Sequence, residues 1–381
     1  MTQHSPNPIE LLTELIRLDT CNPPGNERPA CESIAFLLDG AGYEVELDSL
    51  AGNRASVAAR RKGAGGKGAL VFCGHLDTVP VNRGDWTRDP HGAHIEDGKL
   101  YGRGAVDMKG GVAAMVSACL ALTEAPPLSG DILFLGTAGE EVDCAGACRF
   151  AERDLGPVSA LVIAEPTRLE PGIAHKGALW LELSTQGKAA HGSMPSEGYN
   201  AIAAMNRLLN RILARKTPTQ AHPLLGSQTL SLGAVHGGSN VNIVADSCRL
   251  ALDIRTIPGQ AHEAIMEEFR SMIAAEARED PRFRAGMRVL TDREAVSTPP
   301  DDAFIITAIR TLEQLTGCPR PPKGMTYFTD ASVLQRALGA PTLVLGPGDE
   351  RLAHQADEHV PVAEVTRAAA YYEALARAWL A

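Results

Sequence analysis

The sequence of 381 residues lacks the marks of several large function classes. It has no dense Lys/Arg tract, and 46 acidic residues outnumber 36 basic ones for a net charge of -10, which argues against a nucleic-acid partner and leaves a solvated acidic surface. Residues 1–10 are polar, contain proline and form no apolar h-region. No later segment approaches the roughly 18 uninterrupted apolar residues of a membrane span, so the expectation is a cytoplasmic protein with no membrane partner. A dense cysteine framework is missing too. Of eight cysteines, Cys73, Cys119 and Cys248 lie in apolar runs and read as small core residues. Cys144-Ala-Gly-Ala-Cys148 has metal-like spacing, but no second Cys pair or nearby His completes a tetrahedral set, and two thiols on a helix is the simpler reading. Internal repeats and low-complexity tracts are absent.

What is present is enough apolar sequence, 44% of residues, for two cores. Residues 9–16 carry apolar positions at helical spacing, and Cys21-Asn-Pro-Pro-Gly-Asn26 stops them with turn chemistry. A helix over 27–38, a strand over 43–47 and a buried strand over 69–73 follow. Helices over 110–122 and 145–154 then alternate with strands over 131–135 and 160–164. This alternation predicts an α/β fold with a mostly parallel, doubly wound sheet. After residue 175 the texture changes. Strands over 179–183, 229–232 and 248–255 alternate as half-buried strands do, with helices over 200–214 and 262–277 between them, as in an inserted α+β sandwich. Helices to 315 and from 330, a strand over 341–345 and a helix over 362–380 resume the first texture. The expected division is residues 1–175 and 294–381 for one domain, interrupted by 176–293.

The chain is organised around Val71-Phe-Cys-Gly-His75-Leu-Asp77-Thr-Val-Pro80, where an apolar strand ends in an imidazole and a carboxylate. Neutral His75 is a good zinc ligand, and Asp77 can accept from its other ring nitrogen; a solvated strand-end His-x-Asp is the bland alternative. Asp107 stands in a glycine-rich turn before a helix, where a carboxylate is often only an N-cap. Glu140-Glu141 follow another strand, and two adjacent acids repel unless a cation or proton resolves the conflict. Glu165 follows a third strand, and His354 lies in the late loop Gly346 to Glu358. Ligands of parallel sheets bind where strands end at their carboxyl termini, so these groups emerge together. Two imidazoles with three carboxylates suit a pair of zinc-like cations sharing one carboxylate and one water.

Gly74-His-Leu-Asp-Thr-Val-Pro80, Tyr101-Gly-Arg-Gly-Ala-Val-Asp-Met-Lys-Gly110, Thr137-Ala-Gly-Glu-Glu141, Ala190-His-Gly-Ser193 and Ala353-His-Gln-Ala-Asp-Glu358 together resemble the M20 metallopeptidase family, within it the acetylornithine deacetylase and succinyl-diaminopimelate desuccinylase group. The likeness runs through the whole chain in order. It implies two Zn2+ per subunit, with Co2+ or Mn2+ as possible substitutes: His75 and Glu165 on one, Glu141 and His354 on the other, Asp107 between them and Asp77 behind His75. It further implies Glu140 as general base, a cis Asp107-Met108 bond, and a homodimer formed through the inserted lid domain, from which His191 would reach the partner's site. Asn242, Arg255 and Thr329 match substrate-contacting positions. Ala245 and Phe328 depart from the pattern, where proline and glycine are usual. His91, His94 and His359 match no role and read as surface residues. The implied substrate is a small N-acyl amino acid, with a short peptide, cleaved by a di- or tripeptidase or glutamate-type carboxypeptidase, as the alternative. A metal-free binding relative of the same fold is the alternative outside the enzymes.

Overall fold

The computed structural model describes residues 7–124, 126–215 and 219–381; residues 1–6 of the polar N-terminal stretch read above lie outside the described residues. Two compact units are formed. The first comprises residues 1–174, 297–324 and 329–381, and the second residues 175–296 with 325–328.

The first unit contains β1 (Glu44–Ser49), β2 (Ala55–Arg61), β3 (Ala69–His75), β4 (His94–Glu96), β5 (Lys99–Tyr101), β6 (Ile132–Thr137) and β7 (Val158–Ile163), leading to β8 (Gly172–His175). Its helices are α1 (Pro8–Arg17), α2 (Arg28–Gly40), α3 (Gly110–Leu122) and α4 (Ala145–Ala151). The second unit holds β9 (Gly177–Gln186), α5 (Ala201–Leu213), β10 (Thr229–Gly237), β11 (Ser247–Thr256), α6 (His262–Glu279) and β12 (Arg284–Arg293). The chain then runs through β13 (Val296–Ser297), α7 (Ala303–Thr316), β14 (Lys323–Met325), α8 (Ala331–Leu338), β15 (Thr342–Val344), β16 (His359–Pro361) and α9 (Val362–Trp379).

In the main sheet the order β1-β2-β6-β3-β7-β15-β8 puts β6, β3, β7 and β15 at the centre, all parallel. The pairs β1/β2, β2/β6 and β15/β8 are antiparallel. β3 and β6 are buried at every residue, as strands covered on both faces must be. α3 is buried nearly all round and packs on α1 and α9, while α4 packs on α8. The window Ala105–Leu122 is long and apolar enough to cross a membrane, which the sequence reading did not anticipate; most of it is buried inside this unit as a core helix. Lys109, at its start, is fully buried and donates from Nζ to the carbonyls of Leu15 and Leu18, 2.9 Å each. Those carbonyls are the open end of α1, so the ammonium group closes that helix.

The second unit is one antiparallel sheet, β10-β11-β9-β12. Leu179, Leu181 and Leu183 on β9 with Cys248, Leu250, Leu252 and Ile254 on β11 face Ala204, Met205, Leu208, Ile265 and Phe269 of α5 and α6. Each such leucine contributes about 1.5–3 kcal/mol by burial. β10 is an outer strand, exposed along most of its length, with Leu232 and Val235 open to solvent.

Candidate metal centre

The centre lies in the first unit, at the carboxyl ends of its parallel strands. His75 is the last residue of β3, Glu140 and Glu141 follow β6 after a short turn, Glu165 comes two residues after β7, and His354 sits in the loop after β15. Two glycines allow the close approach at Glu165: a Cβ on Gly111 would lie 2.2 Å, and one on Gly346 2.1 Å, from the Ala164 carbonyl oxygen.

Asp107 spans the two imidazoles. Its Oδ1 lies 3.0 Å from His75 Nε2 and its Oδ2 3.3 Å from His354 Nε2. The remaining acids divide between these two sides. Glu165 Oε1 is 3.8 Å from His75 Nε2, and Glu141 Oε2 is 3.0 Å from His354 Nε2. Ligand-capable atoms of His75, Asp107 and Glu141, and again of His75, Glu140 and Glu165, lie within 4.8 Å of one another. His75 is buried, whereas the His354 side chain is 51% exposed, which leaves one side of the centre open. The Asp107-Met108 peptide is cis, and His354 adopts a left-handed φ of 64°.

The electrostatics explain what this arrangement lacks. Burial, opposed by His75 and reinforced by Glu165, Asp330 and Glu141, pushes the Glu140 carboxyl well above its ordinary range. Burial and Asp107 do the same to Glu165, and to a lesser degree to Glu141. Asp107 is held low although burial opposes it, because both histidines donate to it. Hydrogen bonds to Asp107 and Glu141 lift His354 to about 10. For His75, burial acts against the charge but Asp107 and Glu165 overcome it. Among the described residues the ion pairs of Asp107, Glu141 and Glu165 are to the two histidines alone, and Glu140 makes none. Buried acids so placed require positive charge, and imidazoles ready to be relieved of their protons by divalent cations fit that need.

Asp77 was expected behind His75, but its hold on the following turn and the role of Glu358 were not foreseen from the sequence. The Asp77 carboxylate is 3.6 Å from His75 Nδ1, which instead meets the Asp77 backbone carbonyl at 3.0 Å. The carboxylate accepts from the backbone N–H groups of Gly139 at 2.9 Å, Glu140 at 3.1 Å and Glu141 at 3.3 Å, and from Asn22 Nδ2 at 3.0 Å. Asp77 therefore orients His75 through its main chain and fixes the Glu140-Glu141 turn through its side chain. Glu358, fully buried, accepts from the N–H groups of Val106 (2.8 Å) and Asp107 (3.1 Å) and pairs with Arg103 Nη1 at 2.6 Å. Burial raises Glu358 to about 7 against the pull of Arg103. Thr329, expected at the substrate, is fully buried and its hydroxyl accepts from Ala331 N–H at the start of α8, so it serves the helix. Its neighbour Asp330 accepts from Thr137 Oγ1 at 2.6 Å.

The second unit carries the other expected residues. His191 and Asn242 lie side by side, since His191 bridges Ile243 and Gly192 N–H donates to the Asn242 carbonyl at 2.7 Å. His191 is exposed, with Nδ1 2.7 Å from Ser193 Oγ. Arg255 on β11 pairs with Asp253 at 2.9 Å and lies over the Trp180 ring. Of the three histidines read as surface residues, His94 is exposed, but the His91 side chain is only 12% exposed and His359 is half-buried against Tyr101.

Residues 71–378 match the sequence profile of Peptidase family M20/M25/M40. The chain belongs to that family. It is 33% identical over 366 residues to an acetylornithine deacetylase of Myxococcus xanthus, covering 93% of each chain. Its fold resembles the M20 family metallo-carboxypeptidase Sso-CP2 of Sulfolobus solfataricus (TM-score 0.82, 17% identity, 98% and 99% of the two chains). It likewise resembles the YXEP protein of Bacillus subtilis, a dinuclear metal-binding peptidase of the M20 family (TM-score 0.74, 17% identity, 98% and 97%). The protein is accordingly a metal-dependent hydrolase of amide bonds.

The geometry makes Glu358 a test of the centre's scaffold. Glu358→Ala strands buried Arg103 and frees two N–H groups, and should cost about 3–5 kcal/mol in urea unfolding of the metal-free protein. Glu358→Gln, which keeps an acceptor, should lose less. Equal stability of the alanine variant and the parent would contradict the role given to this pair.

Proposed function

We propose that the protein is a dizinc N-deacylase of a small amino-acid derivative, of the acetylornithine deacetylase kind. The observation that carries the reading is the single Asp107 carboxylate with one oxygen on each imidazole, and one further acid on each side. The substrate class is supported by 33% identity across nearly the whole length of an acetylornithine deacetylase. His75 and Glu165 would hold one cation, Glu141 and His354 the other, and Asp107 both. Two bound zinc ions would supply a water of lowered pKa and polarise the scissile carbonyl. Cobalt or manganese could substitute on this oxygen- and nitrogen-rich set.

Glu140 is the acid left over, and it is the general base. Its backbone is fixed by Asp77, and its carboxyl is buried with a raised proton affinity, so it can take a proton from the attacking water and keep it until the leaving nitrogen needs it. Asp77 is a positioning residue, acting through the backbone N–H groups of residues 139–141. His191, exposed beside Asn242 in the second unit, is suited to donate to a developing oxyanion, and Arg255 to clamp a substrate carboxylate. The proposed assembly is a cytoplasmic homodimer joined through the second unit, whose outer strand β10 offers an open edge with Leu232 and Val235. His191 would then serve the partner's centre.

Glu140→Gln should retain the parent's metal content while turnover of N-acetylornithine falls by about 10²–10⁴. Loss of metal in that variant would put Glu140 among the ligands and end its role as base. Dipeptides cleaved faster than N-acyl amino acids by the parent would favour the peptidase reading. Mixing inactive His191→Ala with inactive Glu140→Gln should restore partial turnover once subunits exchange, because one mixed site has both native groups. No recovery after verified exchange would place His191 outside the partner's site.

A further inference from the structure

Away from the centre, three side chains of different elements converge where α1 ends. α1 stops at Arg17, and the next residues run extended to Cys21, which forms a parallel bridge with Thr78 just after β3. The turn after Asp89-Pro90 brings His91 to the same place, with Gly92 N–H donating to the Asp89 carbonyl at 3.0 Å. A carboxylate oxygen of Asp19, the Cys21 thiol and a ring nitrogen of His91 lie within 4.8 Å of one another.

The hydrogen bonds of Asp19 and His91 leave each with one atom facing the cluster, and the Cys21 thiol makes only long contacts, donating to the Val79 carbonyl at 3.5 Å and accepting from Thr78 Oγ1 at 3.9 Å. Asp19 Oδ1 is taken by the Cys21 N–H at 3.0 Å, and Oδ2 is turned to His91. His91 Nδ1 lies 3.3 Å from the Ile16 carbonyl, to which it donates, so the lone pair of the neutral ring is on Nε2. That Nε2 stands 3.7 Å from Asp19 Oδ2, too far for a hydrogen bond. Zinc bonds of 2.0–2.3 Å at a tetrahedral angle separate ligand atoms by ~3.5 Å, so the gap is of the size a cation needs. A carbonyl behind the imidazole is the usual support of a ligating histidine. Asp19 is 60% exposed and the His91 side chain 12%, so the group is open to solvent on one side only.

We propose that Asp19, Cys21 and His91 form a third cation site, separate from the Asp107 centre, that takes zinc or a similar borderline-soft divalent ion with water as fourth ligand. Binding forms one metal–sulfur, one metal–nitrogen and one metal–oxygen bond and releases the Cys21 thiol proton to solvent. A thiolate, a carboxylate and a neutral imidazole leave a dipositive ion with no net charge. The ion ties the end of α1 to the loop after β3. It also braces the centre from outside, because Asn22, next to Cys21, holds the Asp77 carboxylate at 3.0 Å.

The ligands proposed for the Asp107 centre include no cysteine, so a sulfur signature separates the two sites. The metal-free full chain is titrated with Co2+ and its near-ultraviolet absorption followed for a thiolate-to-cobalt charge-transfer band. The parent should develop that band and bind one more equivalent than Cys21→Ser, which should lack the band while keeping the visible bands of cobalt held by nitrogen and oxygen. His91→Gln should weaken the sulfur-bearing site at least tenfold. A parent without the band, or a band unchanged in folded Cys21→Ser, overturns the proposal and leaves the Asp107 centre untouched.

Discussion

Everything at the centre depends on one electrostatic constraint: Asp107, Glu140, Glu141 and Glu165 crowd together, and among the described residues two imidazoles are the cationic groups paired with them. Carboxylates cannot all ionise there without compensating positive charge. In the metal-free protein the burden falls on protons, which is why His354 rises to about 10 and the glutamates are pushed up. Divalent cations would answer the same need, and under the proposed mechanism Glu140 would stay free to exchange protons.

The fold meets the constraint with rigid supports. Parallel strands β3, β6 and β7 end side by side, so residues far apart in sequence arrive together without long loops. The two turns that carry acids are then fixed by other buried carboxylates. Asp77 holds the backbone of residues 139–141, and Glu358 holds that of residues 106–107 while paired with Arg103. An anion that accepts several backbone N–H groups is itself stabilised in burial, so each support is satisfied before any metal arrives.

The central architecture was legible because it rests on strong local signals. The apolar runs of β3, β6 and β7, the helical periodicity of α1 and the long apolar stretch of α3 are strong local signals. Several strands left little trace, most of them short; of the longer two, β2, Ala-Ser-Val-Ala-Ala-Arg-Arg, is built largely of small and charged residues, and the alternation of the largely exposed β12 is broken by a register shift between Val289 and Thr291. The histidines and acids that the fold brings together were visible as polar groups after strands. Asp77 was legible as a partner of His75, but the hold that Asp77 and Glu358 have on main-chain N–H groups was not, since only the folded chain defines those positions. His91 looked like a surface residue for the same reason: its partners are a backbone carbonyl of α1 and a carboxylate two residues beyond that helix. Thr329 shows a contact the sequence reading did not include, because a hydroxyl at the start of a helix readily accepts from its own backbone.

The account stands or falls on Asp107 as a shared group. Crystals of the zinc-loaded protein, with anomalous diffraction recorded on both sides of the zinc absorption edge, address this directly. Two peaks are expected, one on each oxygen of Asp107, the first beside His75 and Glu165 and the second beside Glu141 and His354. A single peak at full zinc loading, or two peaks of which neither touches Asp107, would contradict it.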